Sequence, residues 1–92
     1  MKRLHYSSRF KKDFKEYKNN PAKVEALKGI LDLLVEGKSI PEENDPHILK
    51  GDYKGCWECH VEDDYLLIWI DGDVIDLLRL GTHSELFGKK RR

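Results

Sequence analysis

The chain has 92 residues, 39% of them apolar and 37% charged, which suits one small globular domain with a single core. Its formal net charge is zero, and no apolar run approaches the length needed to cross a bilayer, which excludes a membrane-spanning helix. The first residues lack the apolar stretch of a secretion signal, so the expected location is the cytoplasm, with Cys56 and Cys59 as reduced thiols.

KRLHYS, residues 2–7, alternates roughly and reads as a first strand. Ser7 or Ser8 is placed to cap a helix over SRFKKDFKEYKNN, where Phe10, Phe14 and Tyr17 form one apolar stripe on a basic cylinder. Asn20 and Pro21 then start a second helix as N-cap and first residue. Val24, Leu27, Leu31, Leu34 and Val35 make its buried stripe, and Gly37 ends it. Residues 38–55, with two prolines, two glycines and several acids, read as a loop. The period then becomes that of strands: YKGCWECHV alternates, YLLIWI is apolar throughout, and VIDLLRL follows. EDD and DGD separate them, and Asp71-Gly72 is a hairpin signal. The order β-α-α-β-β-β predicts an α+β domain over residues 1–88, with both helices on one face of a small, mainly antiparallel sheet and YLLIWI at its centre. A basic tail, residues 89–92, follows.

The charge is segregated. Residues 1–30 hold nine Lys/Arg against three Asp/Glu, residues 31–78 three against thirteen, and residues 79–92 five against one. Basic ends around an acidic middle fit a polyanionic partner, and equally a solvated amphipathic helix with a basic tail.

Cys56-x-x-Cys59-His60 has the spacing of a c-type haem attachment site. On a strand, however, residues three apart point to opposite faces, so the two thiols cannot grip one haem edge. No second cysteine pair or histidine pair supports zinc, and a redox CxxC belongs at a helix N-terminus. No metal and no cofactor are expected, and the cysteines read as one core thiol and one bystander.

Around them lies a set of different chemistry. His60 ends one strand, Asp63 and Asp64 make the next turn, and adjacent antiparallel strands bring His60 and Asp64 together. Arg79 ends the last strand, and His83 and Phe87 follow in LGTHSELFG, which reaches the same edge if it folds back over the sheet. Arg79 shares parity with Ile75 and Leu77, so a regular strand would aim it into the core; a bulge or a strand end near Leu78 is therefore predicted. Histidines beside a carboxylate can move protons near neutrality, an arginine can hold a phosphate, and an aromatic ring can stack on a base. These parts permit metal-independent RNA cleavage, in which a 2′-hydroxyl attacks the adjacent phosphate. Residue types alone equally permit ordinary polar groups at strand ends.

HILKG, YKGCWECHVEDDYLLIWI and LLRLGTHSELFG, in that order within about residues 44–88, resemble the RelE/ParE superfamily of bacterial toxins, and more closely its YafQ branch. The resemblance implies a RelE-like fold and a ribosome-dependent mRNA endonuclease of a type II toxin–antitoxin system, held inactive by a cognate antitoxin. It implies His83 as the main proton-transfer residue, Asp64 and His60 as its partners, and Arg79 on the scissile phosphate. His47 and Phe87 would position the mRNA, and Tyr65, where the branch often has tryptophan, would stack. Lys11, Lys12 and Lys15 of the first helix, with the basic tail, would contact ribosomal RNA. Operator DNA would be met only through the antitoxin complex, and no membrane is implied. The superfamily also holds gyrase-binding toxins of the ParE type, and a decayed toxin that only binds antitoxin is a further alternative. Asp63 stands where the branch has proline.

Overall fold

The computed structural model describes residues 1–88; the tail expected at 89–92 lies outside the described residues. β1 (Arg3–Tyr6) leads directly into α1 (Ser8–Lys15), whose N-cap is Ser7: its hydroxyl oxygen accepts from the Phe10 N–H at 3.0 Å. α1 stops at Lys15, short of the expected asparagines, because Asn20 must leave helical geometry to cap the next helix. Its carboxamide oxygen takes the Lys23 N–H at 3.2 Å, and Pro21 opens α2 (Pro21–Val35). At the far end Lys38 N–H donates to Leu33 O and Gly37 N–H to Leu34 O, a closure that needs the positive φ of Gly37, +72°.

The expected loop contains a 3-10 turn, Glu42–Asn44, and a two-residue strand, β2 (His47–Ile48), too short to show a period. β3 (Trp57–Glu62), β4 (Tyr65–Ile70) and β5 (Val74–Gly81) form the antiparallel meander, and α3 (His83–Phe87) follows. The sheet order is β1-β5-β4-β3-β2, with β1 parallel to β5 and β4 central. This is the expected α+β architecture, enlarged by β2.

Two cores flank the sheet. On one face Phe10, Leu27, Ile30 and Leu34 of the helical pair pack on Cys59, Val61, Tyr65, Leu67, Trp69, Ile75, Leu77 and Leu80. Each fully buried leucine such as Leu67 contributes about 2 kcal/mol of apolar transfer. On the other face Cys56, Leu66 and Ile68 lie under Leu86 of α3, with Leu49, Tyr53, Leu78 and Phe87 around them. Both cysteines are therefore buried, one per core, and neither is the bystander that one of them was expected to be.

The bulge expected near Leu78 is present. Ile68 pairs with Arg79 but Trp69 pairs with Leu77, so Leu78 is the extra residue. The shift carries Arg79 off the helical face and puts Leu80 there instead. It removes the conflict between a guanidinium and an apolar core. A second shift, between His60 and Glu62, leaves His60 opposite Leu66, on the face away from the helices, and turns Glu62 toward Lys23 of α2.

Candidate active site

The face opposite the helical pair collects His47, His60, Asp64, His83 and Phe87. α3 brings the last two. Thr82 caps this short helix in a reciprocal box: its hydroxyl accepts from Glu85 N–H at 3.2 Å, and Glu85 Oε1 accepts from Thr82 N–H at 2.9 Å. Tyr17, just beyond α1, donates its hydroxyl to the same Oε1 at 2.6 Å. Glu85 is held below the usual glutamate range, first by this Tyr17 bond and then by the Thr82 N–H. Gly81 is required here, because a β-carbon would sit 2.5 Å from Glu85 Oε1.

Asp64 fixes His83. Its Oδ1 accepts the His83 backbone N–H at 2.9 Å and lies 3.3 Å from ring Nδ1. The backbone bond is the first cause that lowers the Asp64 carboxyl below its ordinary range, so Asp64 is ionised across neutral pH. With Nδ1 turned to the carboxylate, Nε2 of His83 is left open, on a side chain 59% exposed. His60 is anchored in the same manner through a different acceptor. Its Nδ1 lies 2.9 Å from Asp63 O, and because a carbonyl only accepts, Nδ1 carries a hydrogen, while Nε2 has no hydrogen-bond partner among the described residues. The two rings stand edge to face with centroids 6.1 Å apart, and Phe87 lies 5.8 Å from the His83 ring. His60, Asp64 and His83 are thus brought together as expected, although Asp64 contacts His83 rather than His60.

Arg79 is committed elsewhere. Nε and Nη2 donate to Asp13 Oδ2 and Oδ1 at 2.8 and 3.3 Å, and Nη1 donates to the Tyr53 hydroxyl at 3.0 Å. Asp13 Oδ2 also accepts the Leu80 N–H at 2.9 Å, so one carboxylate closes the sheet edge beyond β1 and neutralises the guanidinium. Three of the five N–H groups of Arg79 are engaged, and the residue is 9% exposed. Asp13 and Tyr53 were not singled out in the sequence: Asp13 lies 66 positions away, and no local pattern links it to Arg79.

Tyr65 corrects an expectation. It shares parity with Leu67 and Trp69, lies under the helices, is 1% exposed and packs on Tyr17 at 4.7 Å between centroids. Burial pushes its hydroxyl up to about 12. It cannot stack on a base from the histidine face, because the sheet stands between. Lys11, Lys12 and Lys15 are exposed on α1, against the helical face; Lys11 and Lys15 border the α1/α2 groove, and none joins the histidines. His47 lies beside the site: its Nδ1 donates to Asp45 O at 2.8 Å, and its Nε2 lies 3.0 Å from Glu58 Oε1. Glu58 was missed, although its place two residues before His60 on one strand puts it on the same face. Among the described residues, no three His, Cys, Asp or Glu side chains are grouped so as to hold a metal ion.

A helical pair on one face of a five-stranded sheet and a histidine–carboxylate cluster on the other is an architecture found in small bacterial toxins. YafQ from Escherichia coli strain BL21(DE3) superposes with a TM-score of 0.86 at 31% identity, covering 96% of this chain and all of that one. A copper-bound mutant toxin from Helicobacter pylori gives 0.85 at 34%, covering 95% and 100%. The mRNA interferase toxin YafQ of E. coli K12 is 32% identical over 87 residues, 92% of this chain and 95% of that protein. Residues 2–88 match the model of the family described as bacterial toxin of type II toxin-antitoxin system, YafQ. The chain belongs to that family.

Proposed function

We propose that this chain is an mRNA-cleaving endoribonuclease, the toxin of a type II pair, acting on mRNA held by the ribosome. One observation carries the reading: His60 and His83 face one another, each anchored through Nδ1 and each open at Nε2. Two proton-transfer groups on either side of a phosphate are what 2′-hydroxyl attack needs. His60, whose anchor is a neutral carbonyl, takes the 2′-hydroxyl proton as the O2′–P bond forms. His83, backed by the Asp64 carboxylate, carries the proton that the 5′-oxygen receives as the P–O5′ bond breaks. The products are a 2′,3′-cyclic phosphate and a 5′-hydroxyl. A phosphate that reaches Arg79 replaces the Tyr53 hydroxyl on Nη1, and Phe87 and His47 line the approach. The name mRNA interferase, carried by the E. coli relatives, supports this substrate.

Electrostatics support ribosome dependence. The chain has no net charge, and Asp45, Asp63 and Asp64 rim the site, so free mRNA gains little by binding. A ribosome that presents the strand removes this handicap, with Lys11, Lys12 and Lys15 exposed on α1 toward ribosomal RNA. The partner that silences the toxin is an antitoxin protein, supported by the solved E. coli DinJ–YafQ complex, whose toxin chain is 32% identical with a TM-score of 0.84. Operator DNA is met through that complex, and the site of action is the cytoplasm.

The test is inducible expression of wild type and His83→Ala, with primer extension on a defined message. Codon-spaced cuts in wild type alone, lost when the message is untranslated, are expected. Growth arrest with intact message in both strains would transfer the activity to a protein-binding target such as gyrase.

A further inference from the structure

The loop from Leu49 to Cys56 joins β2 to β3, and its ends pair: Leu49 N–H donates to Cys56 O at 2.8 Å and Gly55 N–H to Leu49 O at 3.1 Å. Two turns fill it, closed by Lys54 N–H on Gly51 O at 3.0 Å and by Cys56 N–H on Tyr53 O at 2.9 Å. Three of its residues have left-handed backbone, Gly51 at φ +70°, Tyr53 at +63° and Gly55 at +86°. Glycine adopts that region freely. A tyrosine there is strained, and it persists only where its surroundings impose the conformation. What Tyr53 gains lies in its side chain. Gly51, Asp52, Lys54 and Gly55 are exposed, whereas Tyr53 is half-buried and turned in against the core beneath α3. Its hydroxyl accepts from Arg79 Nη1 at 3.0 Å, and its ring meets Phe87 edge-on at 6.0 Å between centroids. Phe87 in turn lies 5.8 Å from the His83 ring. One strained residue thus bridges the arginine and the aromatic ring beside the histidine.

We propose that Tyr53 is a further phosphate contact of this site: its hydroxyl donates to a non-bridging oxygen of the phosphate that Arg79 holds. The hydrogen inventory leaves that donor free. A guanidinium only donates, so the Tyr53 oxygen serves Nη1 as an acceptor and its own hydrogen is not used there. No other partner of this hydroxyl is found among the described residues. Nor is Tyr53 needed to neutralise Arg79. Asp13 supplies the counter-charge and takes Nε and Nη2 from the α1 side, which leaves Nη1 to Tyr53. A phosphate oxygen that displaces the hydroxyl from Nη1 stands beside it, and the hydroxyl then turns from acceptor to donor. Its effect is greatest in the transition state. As O2′ attacks, negative charge builds on the non-bridging oxygens, and a neutral donor fixed there stabilises that charge without any proton transfer of its own. The edge contact with Phe87 and the constrained backbone hold the hydroxyl in place, so little ordering is left to the moment of binding.

That the phosphate is the scissile one rests on the nuclease reading; the phosphate contact itself does not, and two measurements keep them apart. In the first, inorganic phosphate is titrated into the full chain, freed of antitoxin, while the side-chain nitrogen NMR signals of Arg79 are followed in wild type and Tyr53→Phe. Saturable shifts in wild type, with roughly fivefold weaker binding in Tyr53→Phe, are expected. Equal binding by the two, or no response in wild type, would overturn the proposal. Tyr53→Phe keeps the ring against Phe87, and its Trp57 and Trp69 fluorescence should report the same fold. The second is cleavage of ribosome-bound mRNA, where kcat of Tyr53→Phe should fall roughly tenfold or more with KM near that of wild type. An unchanged kcat would overturn the role. Sulfur in place of one non-bridging oxygen of the scissile phosphate is a weak acceptor. It should slow wild type at one diastereomer, and slow Tyr53→Phe less. An equal sulfur effect in both would mean that Tyr53 acts only through Arg79, and would overturn the direct contact. Absence of cleavage by wild type would instead remove the nuclease reading, with the phosphate titration still deciding the contact.

Discussion

Replacing Asp13 by alanine should be among the most damaging single changes in this domain. Its carboxylate accepts Arg79 Nε at 2.8 Å, Arg79 Nη2 at 3.3 Å and the Leu80 N–H at 2.9 Å, and the two side chains are only 12% and 10% exposed. Asp13→Ala strands a guanidinium in a low-dielectric site and leaves a strand-edge N–H without its acceptor. Removing one partner of a buried pair costs roughly 3–5 kcal/mol, and the residual exposure here argues for about 3 kcal/mol. A domain of this length has roughly 5–14 kcal/mol in all. The free chain unfolded in urea, followed by Trp57 and Trp69 fluorescence, reads the loss directly. With a slope of about 1.5 kcal/mol/M, the midpoint should fall by about 2 M at unchanged slope. Asp13→Asn keeps the shape and one acceptor, and should lose about half as much. Arg79→Met in the Asp13→Ala background should recover much of the deficit, because the cost is mostly an unpaired charge. A midpoint within about 0.3 M of wild type for Asp13→Ala would refute the reasoning.

Tyr65→Phe removes a buried hydroxyl that has no hydrogen-bond partner among the described residues, so stability should change by less than about 0.5 kcal/mol and mRNA cleavage should be unaffected. A large loss of cleavage at full stability would place Tyr65 against RNA after all. Glu85 has a depressed carboxyl, so its contribution is present above the unfolded glutamate value and is lost as pH falls through the lower folded one. Thermal melts of wild type and Glu85→Gln should therefore differ at pH 7 and converge below about pH 4, whereas a gap that widens in acid would reverse the sign. Cys59 is fully buried and its thiol is pushed up to about 12 by burial and then by Glu58, so alkylation should follow global unfolding; rapid labelling of the native chain would contradict that packing.

Much of the frame was legible from local rules. The serine and asparagine caps, the glycine stop after α2 and the strand runs each report on a few neighbouring residues, and they appear where expected except that YKGCWECHV becomes a strand only from Trp57 on. The bulge at Leu78 was legible for a sharper reason: Arg79 in register with Ile75 and Leu77 implied a buried charge, and one inserted residue is the least costly escape. The fold-back after β5 was permitted by the spacing and no more, and the short helix α3 itself was not read from the sequence. What escaped was long-range or overridden. Asp13 pairs with Arg79 across 66 positions, with no periodic signal to announce it. β2 is two residues long and lies inside an acidic loop. Tyr65 was misplaced because the family's aromatic position was weighed above the parity it shares with Leu67 and Trp69. Glu58 was overlooked because a lone glutamate on a strand resembles a solvent-facing residue until its neighbour is known to be His47.

The site divides its histidines by their acceptors. A carbonyl behind His60 and a carboxylate behind His83 give the two rings different second partners, and the proposed division into proton acceptor and proton donor rests on that difference. Asp64 does double service, since it also accepts the first backbone N–H of α3 and so fixes the helix that carries His83 and Phe87.

The measurement that bears most directly on the central claim is the chemistry of the cut ends, read by mass spectrometry after the free chain acts on mRNA in a programmed ribosome. Acid–base transfer by His60 and His83 predicts a 2′,3′-cyclic phosphate, or the 3′-phosphate formed from it, opposite a 5′-hydroxyl. A 3′-hydroxyl opposite a 5′-phosphate would mean that water, not the 2′-hydroxyl, attacks, and would contradict the account.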